Sequence, residues 1–242
     1  MKKKKGYIFG IVPLYAVIPL ISSFVFNTVI YSGTMILRQG AYHHNFTTAF
    51  DRMVPVIPAF TSIYLICYLF WAANYIMIGW IGREHMYRFL VGDFISRIIC
   101  GIFFIFLPTT LIRPEITGNG LWEHLLRFVY SVDQSANLFP SIHCLVSWFC
   151  YVGIRGQKQI PKWYQRFSMI FAILVCISTQ VTKQHYIVDL IAGILLAEGC
   201  YQIGQKTNWY QKLWSFFGRI NGLLGLEDRG KKQKGKLSEI KG

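Results

Sequence analysis

Charge is what this sequence has least of. Of its 242 residues only 15% are charged, and the charge is lopsided, with 11 acids against 25 Lys and Arg. A soluble domain carries roughly 25% charged residues. With 53% hydrophobic and 17% aromatic residues and a mean hydropathy of +0.38, too little polar surface remains to cover a globule. A soluble enzyme is excluded, and so is a disordered chain, which needs low hydrophobicity. Paired cysteine is missing as well. Cys67, Cys100, Cys144, Cys150, Cys176 and Cys200 fall in or beside apolar runs, and none forms C-x-x-C. Neither a disulfide framework nor a zinc site is indicated, and the thiols read as small buried hydrophobes. No cysteine is followed by five residues and then Arg, which excludes a thiol phosphatase. The net charge of +14 is spread between apolar runs rather than gathered in one patch. It reads as membrane topology, not as a nucleic-acid footprint.

What is present is a succession of apolar stretches. Crossing a bilayer takes about 20 mostly apolar residues. Six candidate spans run at approximately 7–30, 54–81, 89–112, 141–154, 167–182 and 186–203, the fourth and fifth short. Lys2 to Lys5 make a basic leader before the first. That stretch is too long for a signal peptide and no small-x-small cleavage site follows, so it is expected to stay as a helix. The fold class expected is an all-α, polytopic membrane helix bundle.

Orientation follows from Lys and Arg. The N-terminal lysines, Arg83, Arg88, Arg155, Lys158, Lys162, Arg166 and the basic tail fall on one side, and Arg38, Arg52, Arg113, Arg127 and Lys183 on the other. By the positive-inside rule both termini are cytoplasmic and the Arg38, Arg113 and Lys183 loops face outward. Residues 1–206 form the membrane-embedded unit. In 207–242, the aromatic and basic run from Trp209 to Phe217 suits a helix lying on the inner leaflet, drawn to anionic lipid. The polar stretch 231–242 is expected to be disordered.

Three outward-facing segments carry chemistry. The third span ends in Leu111-Ile112-Arg113-Pro114, the fourth begins Pro140-Ser141-Ile142-His143, and the last two are joined through Lys183-Gln184-His185 to Asp189. His185 and Asp189 are four apart, on one helix face. A carboxylate accepting the Nδ1 proton fixes the tautomer and leaves Nε2 as a nucleophile. A polar pair that anchors a helix end is the plainer alternative, but Asp189 sits one turn into an apolar helix, where a lone charge is costly. Ser141 after Pro140 reads as an N-cap, and the free N–H groups of that first turn favour phosphate. His143 in the same turn can protonate a departing alkoxide. Arg113 offers a planar fork to phosphate oxygens, and Lys183 can hold an anion. Together they make a metal-free, cofactor-free site for phosphoryl transfer. His43, His44, His124 and Asp133 lack metal-ligand spacing and read as headgroup-pocket residues. Asp93 and Arg97, four apart, read as a structural ion pair near the cytoplasmic end, and Glu198 as facing the bundle or the inner interface.

In these residues the chain resembles the type 2 phosphatidic acid phosphatase superfamily, whose motifs are KxxxxxxRP, PSGH and SRxxxxxHxxxD. Arg113-Pro114 matches the end of the first, Pro140-Ser141-Ile142-His143 the second except for its Gly, and Ser178, His185 and Asp189 the third. The resemblance covers roughly 89–204. It implies that His185 forms a phosphohistidine, Asp189 orients it, His143 protonates the leaving group, and Arg113, Ser141 and backbone amides bind phosphate. Two motif cations are replaced, by Phe106 and Thr179, and Lys183 stands near enough to replace one of them. The P-S-x-H with a bulky third residue and the run from Lys183 to Asp189 look more like the inositol-phosphorylceramide-synthase-like branch, which transfers a phospho-headgroup between lipids. The expectation is an integral membrane enzyme of the plasma membrane, active at the outer face. Its donor is a membrane phospholipid, its acceptor a lipid alcohol or, in a phosphatase, water. A non-catalytic lipid or anion carrier on the same scaffold is the rival; it needs Arg113 and Lys183 but not the His185–Asp189 pair.

Overall fold

The computed structural model describes residues 6–8 and 11–226. After a short hairpin, β1 (Tyr7–Ile8) with β2 (Val12–Pro13), come nine helices among the described residues: α1 Leu14–Leu37, α2 Ala49–Met53, α3 Thr61–Ile81, α4 Arg83–Phe106, α5 Leu121–Val132, α6 Ile142–Ile154, α7 Lys162–Val181, α8 Ile187–Lys206 and α9 Tyr210–Leu223. The all-helical expectation is met. Among the described residues five helices are long and apolar enough to cross a membrane: α1, α3 with the single turn before it, α4, α7 and α8. They show large apolar side chains outward, among them Phe24, Ile36, Leu69, Phe106 and Leu195, as a bundle facing lipid must.

The fourth expected span is α6, with 13 residues. At 1.5 Å per residue it is about 20 Å long, short of the roughly 30 Å of a hydrocarbon core. Both of its ends are tied to α8. The Ser141 N–H reaches the Asp189 carbonyl in the first turn of α8, and Arg155 pairs with Glu198, midway along α8, through two bonds of 2.7 and 2.9 Å. The irregular segment before α6 is buried inside the bundle at Asn137, Leu138 and Ser141. Non-helical backbone at such depth is tolerated where protein buries it.

Several boundaries differ from the sequence pattern: α1 runs on to Leu37 rather than residue 30, and α3 starts at Thr61 rather than residue 54. The first helix starts at Leu14, not near residue 7, because the preceding apolar residues pair as the hairpin. The third expected span does not run to residue 112. It stops at Phe106 because Leu107 precedes Pro108, and a residue before proline is pushed out of the helical region; Leu107 has φ −136° and ψ 60°. Arg113 consequently lies in an extended loop, 107–120. The amphipathic α5, which buries Leu126 and Val129, had no counterpart in the sequence reading.

α8 packs against α4 and α6 with backbones nearly touching. A Cβ at Gly193 would lie 2.8 Å from the Ser141 carbonyl oxygen, one at Gly92 2.6 Å from the Cys200 oxygen, and one at Gly204 2.2 Å from the Arg88 oxygen. Small residues permit such approach between membrane helices, where van der Waals contact replaces the hydrophobic drive. Asp93 and Arg97 form the expected ion pair (2.9 Å), both buried, with Ser23 and Tyr75 donating to the same carboxylate. α9 is separate from α8: Thr207 is extended, and Asn221 donates to the Tyr15 carbonyl. The Lys2–Lys5 leader and the 231–242 tail lie outside the described residues.

Candidate active site

The turn joining α7 to α8 is fixed by backbone bonds. The N–H groups of Gln184 and His185 both donate to the Thr179 carbonyl (2.9 and 3.2 Å), and Lys183 takes a left-handed φ of 50°. α8 then starts with Asp189 in its first turn. One Asp189 oxygen, Oδ2, accepts from the Tyr186 N–H (3.1 Å), closing the helix start, and from His185 Nδ1 (3.2 Å). The Leu138 carbonyl is also 3.1 Å from His185 Nδ1. Both neighbours are acceptors, so the proton belongs on Nδ1 and Nε2 carries the lone pair. Burial opposes protonation of His185, but the hydrogen bond and charge of Asp189 outweigh it and hold the imidazole above its ordinary value.

His143 sits in the first turn of α6, whose cap is Ser141: its Oγ accepts from the Cys144 N–H at 3.3 Å. The two histidine rings are 5.9 Å apart, centroid to centroid, close enough for both to touch one phosphoryl group. Three aromatic rings of α3 surround His143. Tyr64 stacks on it at 4.3 Å, with Trp71 at 5.4 Å and Tyr68 at 5.9 Å. The Tyr68 hydroxyl is 3.2 Å from Nε2.

A cavity of about 110 Å³ opens between these groups. Both histidines line it, with Tyr31, Tyr68, Trp71, Arg113, Asp133 and Gln184. Arg113 crosses its wall, donating to the carbonyls of Asp133 (2.5 Å) and Tyr130 and to Gln184 Oε1, with its guanidinium 4.8 Å above the Tyr130 ring. Its buried Nε and the buried Gln184 Nε2 have no hydrogen-bond partner. A second cavity of about 250 Å³ lies on the other side of His185 and Arg113, lined also by Asp51, Arg52 and Lys183.

The structure thus brings together His143, His185, Asp189 and Arg113. Ser141 is fully buried beneath them and serves as the α6 cap; it is not among the residues lining either cavity. Lys183 lines the second cavity, but its ammonium is held by the carbonyls of Asp51 (2.6 Å) and Val54 (2.5 Å), and burial lowers its pKa against the raising effect of Asp51. Phe106, at the first-motif Lys position, is 79% exposed on the outside of the bundle. Thr179, at the third-motif Arg position, is buried and shapes the turn through its carbonyl.

Sequence reasoning missed Tyr64, Tyr68, Trp71 and Gln184. The i, i+4, i+7 spacing of the three aromatics, two with hydroxyls inside an apolar span, was the available signal. It also missed Asp51, which caps α2 by accepting from Thr48 and caps α8 by accepting from the Ile187 N–H at 2.8 Å. Asp133 stands in the cavity wall, whereas His43 meets the Ala41 carbonyl, His44 pairs with Thr109, and His124 meets Arg127. A family model described as the PAP2 superfamily matches residues 41–203, which include every residue of this cavity except Asn27 and Tyr31. No curated protein and no solved structure matches the chain.

Proposed function

Because the chain belongs to the PAP2 superfamily, we propose that it is an integral-membrane lipid phosphoesterase that works through a phosphohistidine on His185 and hands the phospho-headgroup to a lipid alcohol. The observation that carries the reading is the Asp189–His185 pair facing His143 across one small cavity. His185 Nε2 attacks phosphorus, and the imidazolium that develops is balanced by Asp189. The phosphorus–oxygen bond of the donor breaks, and the departing alkoxide takes the Nε2 proton of protonated His143. The acceptor hydroxyl then approaches from the side the leaving group vacated. His143, now neutral, takes its proton; oxygen bonds to phosphorus and the phosphorus–nitrogen bond breaks.

Arg113 and Gln184 supply the donors for the phosphoryl oxygens. Among the described residues Arg113 is the only Lys or Arg in the wall of the smaller cavity, since Phe106 and Thr179 occupy the other two motif positions. So little positive charge suits a singly charged phosphodiester better than a doubly charged monoester, which favours the headgroup-transferring branch. With water as acceptor the same steps give the phosphatase reaction common in the superfamily. The Lys and Arg bias favours the outer face for the site. The test is purified protein in EDTA, incubated with a phospholipid panel with and without diacylglycerol or ceramide, and products read by mass. A new phospholipid that appears only with the lipid alcohol supports the reading. Release of a free phospho-headgroup at the same rate in both selects the phosphatase. Turnover that requires an added divalent ion overturns the metal-free mechanism, and absence of any product favours the carrier.

A further inference from the structure

Asp133 belongs to none of the motifs that mark the site. We propose that it is the positioning residue for the general acid His143, acting through the Tyr64 hydroxyl as Asp189 acts directly on His185; the proposal rests on the phosphohistidine reading. Tyr64 donates to Asp133 Oδ2 at 2.6 Å and Tyr31 donates to Oδ1 at 3.1 Å. The same Tyr64 oxygen is 3.5 Å from His143 Nδ1, with the two rings stacked. A phenol has one hydrogen to give. With that hydrogen committed to a carboxylate, the Tyr64 oxygen can only accept from Nδ1.

Nδ1 therefore keeps its proton in both states of the ring, and the proton that comes and goes is the one on Nε2. That nitrogen is 3.2 Å from the Tyr68 hydroxyl and lines the cavity shared with His185. When the donor's phosphorus–oxygen bond breaks, the Nε2 proton goes to the alkoxide and His143 is left neutral with Nδ1–H still facing Tyr64. The acceptor's proton returns to Nε2 in the second step. The groups facing His143 are Tyr31 from α1, Tyr64, Tyr68 and Trp71 from α3, Arg113 from the 107–120 loop, and His185 ahead of α8. Burial is the largest influence on this ring and opposes an imidazolium, a protonated His185 adds to that, and the Asp133 carboxylate is the group in this wall that favours one. The carbonyl of Asp133 also accepts from Arg113 at 2.5 Å, so one loop residue sets both the phosphate fork and the acid.

The experiment compares Asp133→Asn, Tyr64→Phe, His143→Ala and His185→Ala on two donors that share a phospho-headgroup. One releases an alkoxide; the other releases p-nitrophenolate, which needs no proton. Release in the first turnover is measured, before the acceptor step. Asp133→Asn and Tyr64→Phe should slow the alkoxide donor by roughly 10²-fold, at the low end of what a general acid contributes, and leave the nitrophenyl donor near wild type, the pattern of His143→Ala. An equal loss on both donors, or no loss on the alkoxide donor, overturns the relay. If Asp133→Asn does not fold, Tyr64→Phe decides alone, because it leaves Asp133 bonded to Tyr31 and Arg113. Failure of the underlying reading looks different: His185→Ala would then still release nitrophenolate at the wild-type rate.

Discussion

Asp189 uses one oxygen for two tasks, holding the Tyr186 N–H at the start of α8 and the His185 ring beside it. In Asp189→Asn an amide oxygen in that place can keep both contacts but without the charge that balances the imidazolium, and an amide nitrogen there presents an N–H to two donors. The fold should survive, and turnover should drop by about 10³- to 10⁴-fold, as when the acid of a serine-protease triad becomes an amide; steady-state kinetics on the folded variant checks this. The pH profile should move as well. His185 must be unprotonated to attack, and Asp189 holds its pKa above the ordinary imidazole value despite the opposing effect of burial. The wild-type first step therefore weakens as pH falls through that raised value. With the carboxylate gone the raising effect is lost, and the acid limb should shift to lower pH. An unmoved limb in the residual activity of Asp189→Asn would mean that His185 does not set it. His185 and Asp189 were legible in the sequence because their partnership is local, one helical turn. Tyr64, His143 and Asp133 meet across sequence separations of 69 and 79 residues, and no local spacing encodes such contacts.

At the scale of elements, the site depends on how closely α6 lies against α8. Gly193 makes that possible: a Cβ there would sit 2.8 Å from the Ser141 oxygen and 3.2 Å from the Leu145 nitrogen. Because those neighbours are backbone, they can yield only by moving the helix. Gly193→Ala should cost about 1–3 kcal/mol, the usual penalty of overpacking, and lower turnover by shifting His143 against His185. Thermal unfolding in detergent with parallel activity measures both; a variant with unchanged melting and turnover would show that the contact does not set the site. Ser141→Ala should cost about 1 kcal/mol through loss of the α6 cap, without the pronounced leaving-group dependence expected of His143→Ala. The apolar runs announced α3, α4, α7 and α8 because length and composition mark a span. They misplaced the starts and ends, since apolar residues continue into the hairpin before α1 and the extended loop after α4. α5 escaped notice because an amphipathic helix between spans carries no such apolar run.

For the whole molecule, the Lys and Arg bias predicts which end of the bundle faces the cytoplasm. The contacts gather α9 and the start of α1 at the far end of α3 from Tyr64: Asn221 of α9 reaches Tyr15 at the start of α1, and Tyr15 reaches the Gly79 carbonyl at the end of α3. Cysteines introduced at Gly118 and Gln157 test the orientation. The native six are all buried, so background labelling should be low. An impermeant maleimide applied to intact cells should label Gly118→Cys and spare Gln157→Cys until the membrane is opened. The reverse pattern would turn the site inward. The family and the histidine pair were legible from short motifs in order along the chain. The aromatic wall and the engagement of Lys183 by backbone carbonyls became visible only with the fold, because both depend on distant segments closing over one cavity.

The central claim is a covalent bond between phosphorus and His185. It is tested most directly by mixing the enzyme with a donor labelled in its phospho-headgroup, quenching rapidly under alkaline conditions that preserve phosphohistidine, and mapping the label by peptide mass. The account predicts acid-labile label on the peptide containing His185, present in the wild type and absent in His185→Ala. An enzyme that turns over with no label on that peptide, or a His185→Ala variant that turns over normally, would contradict it.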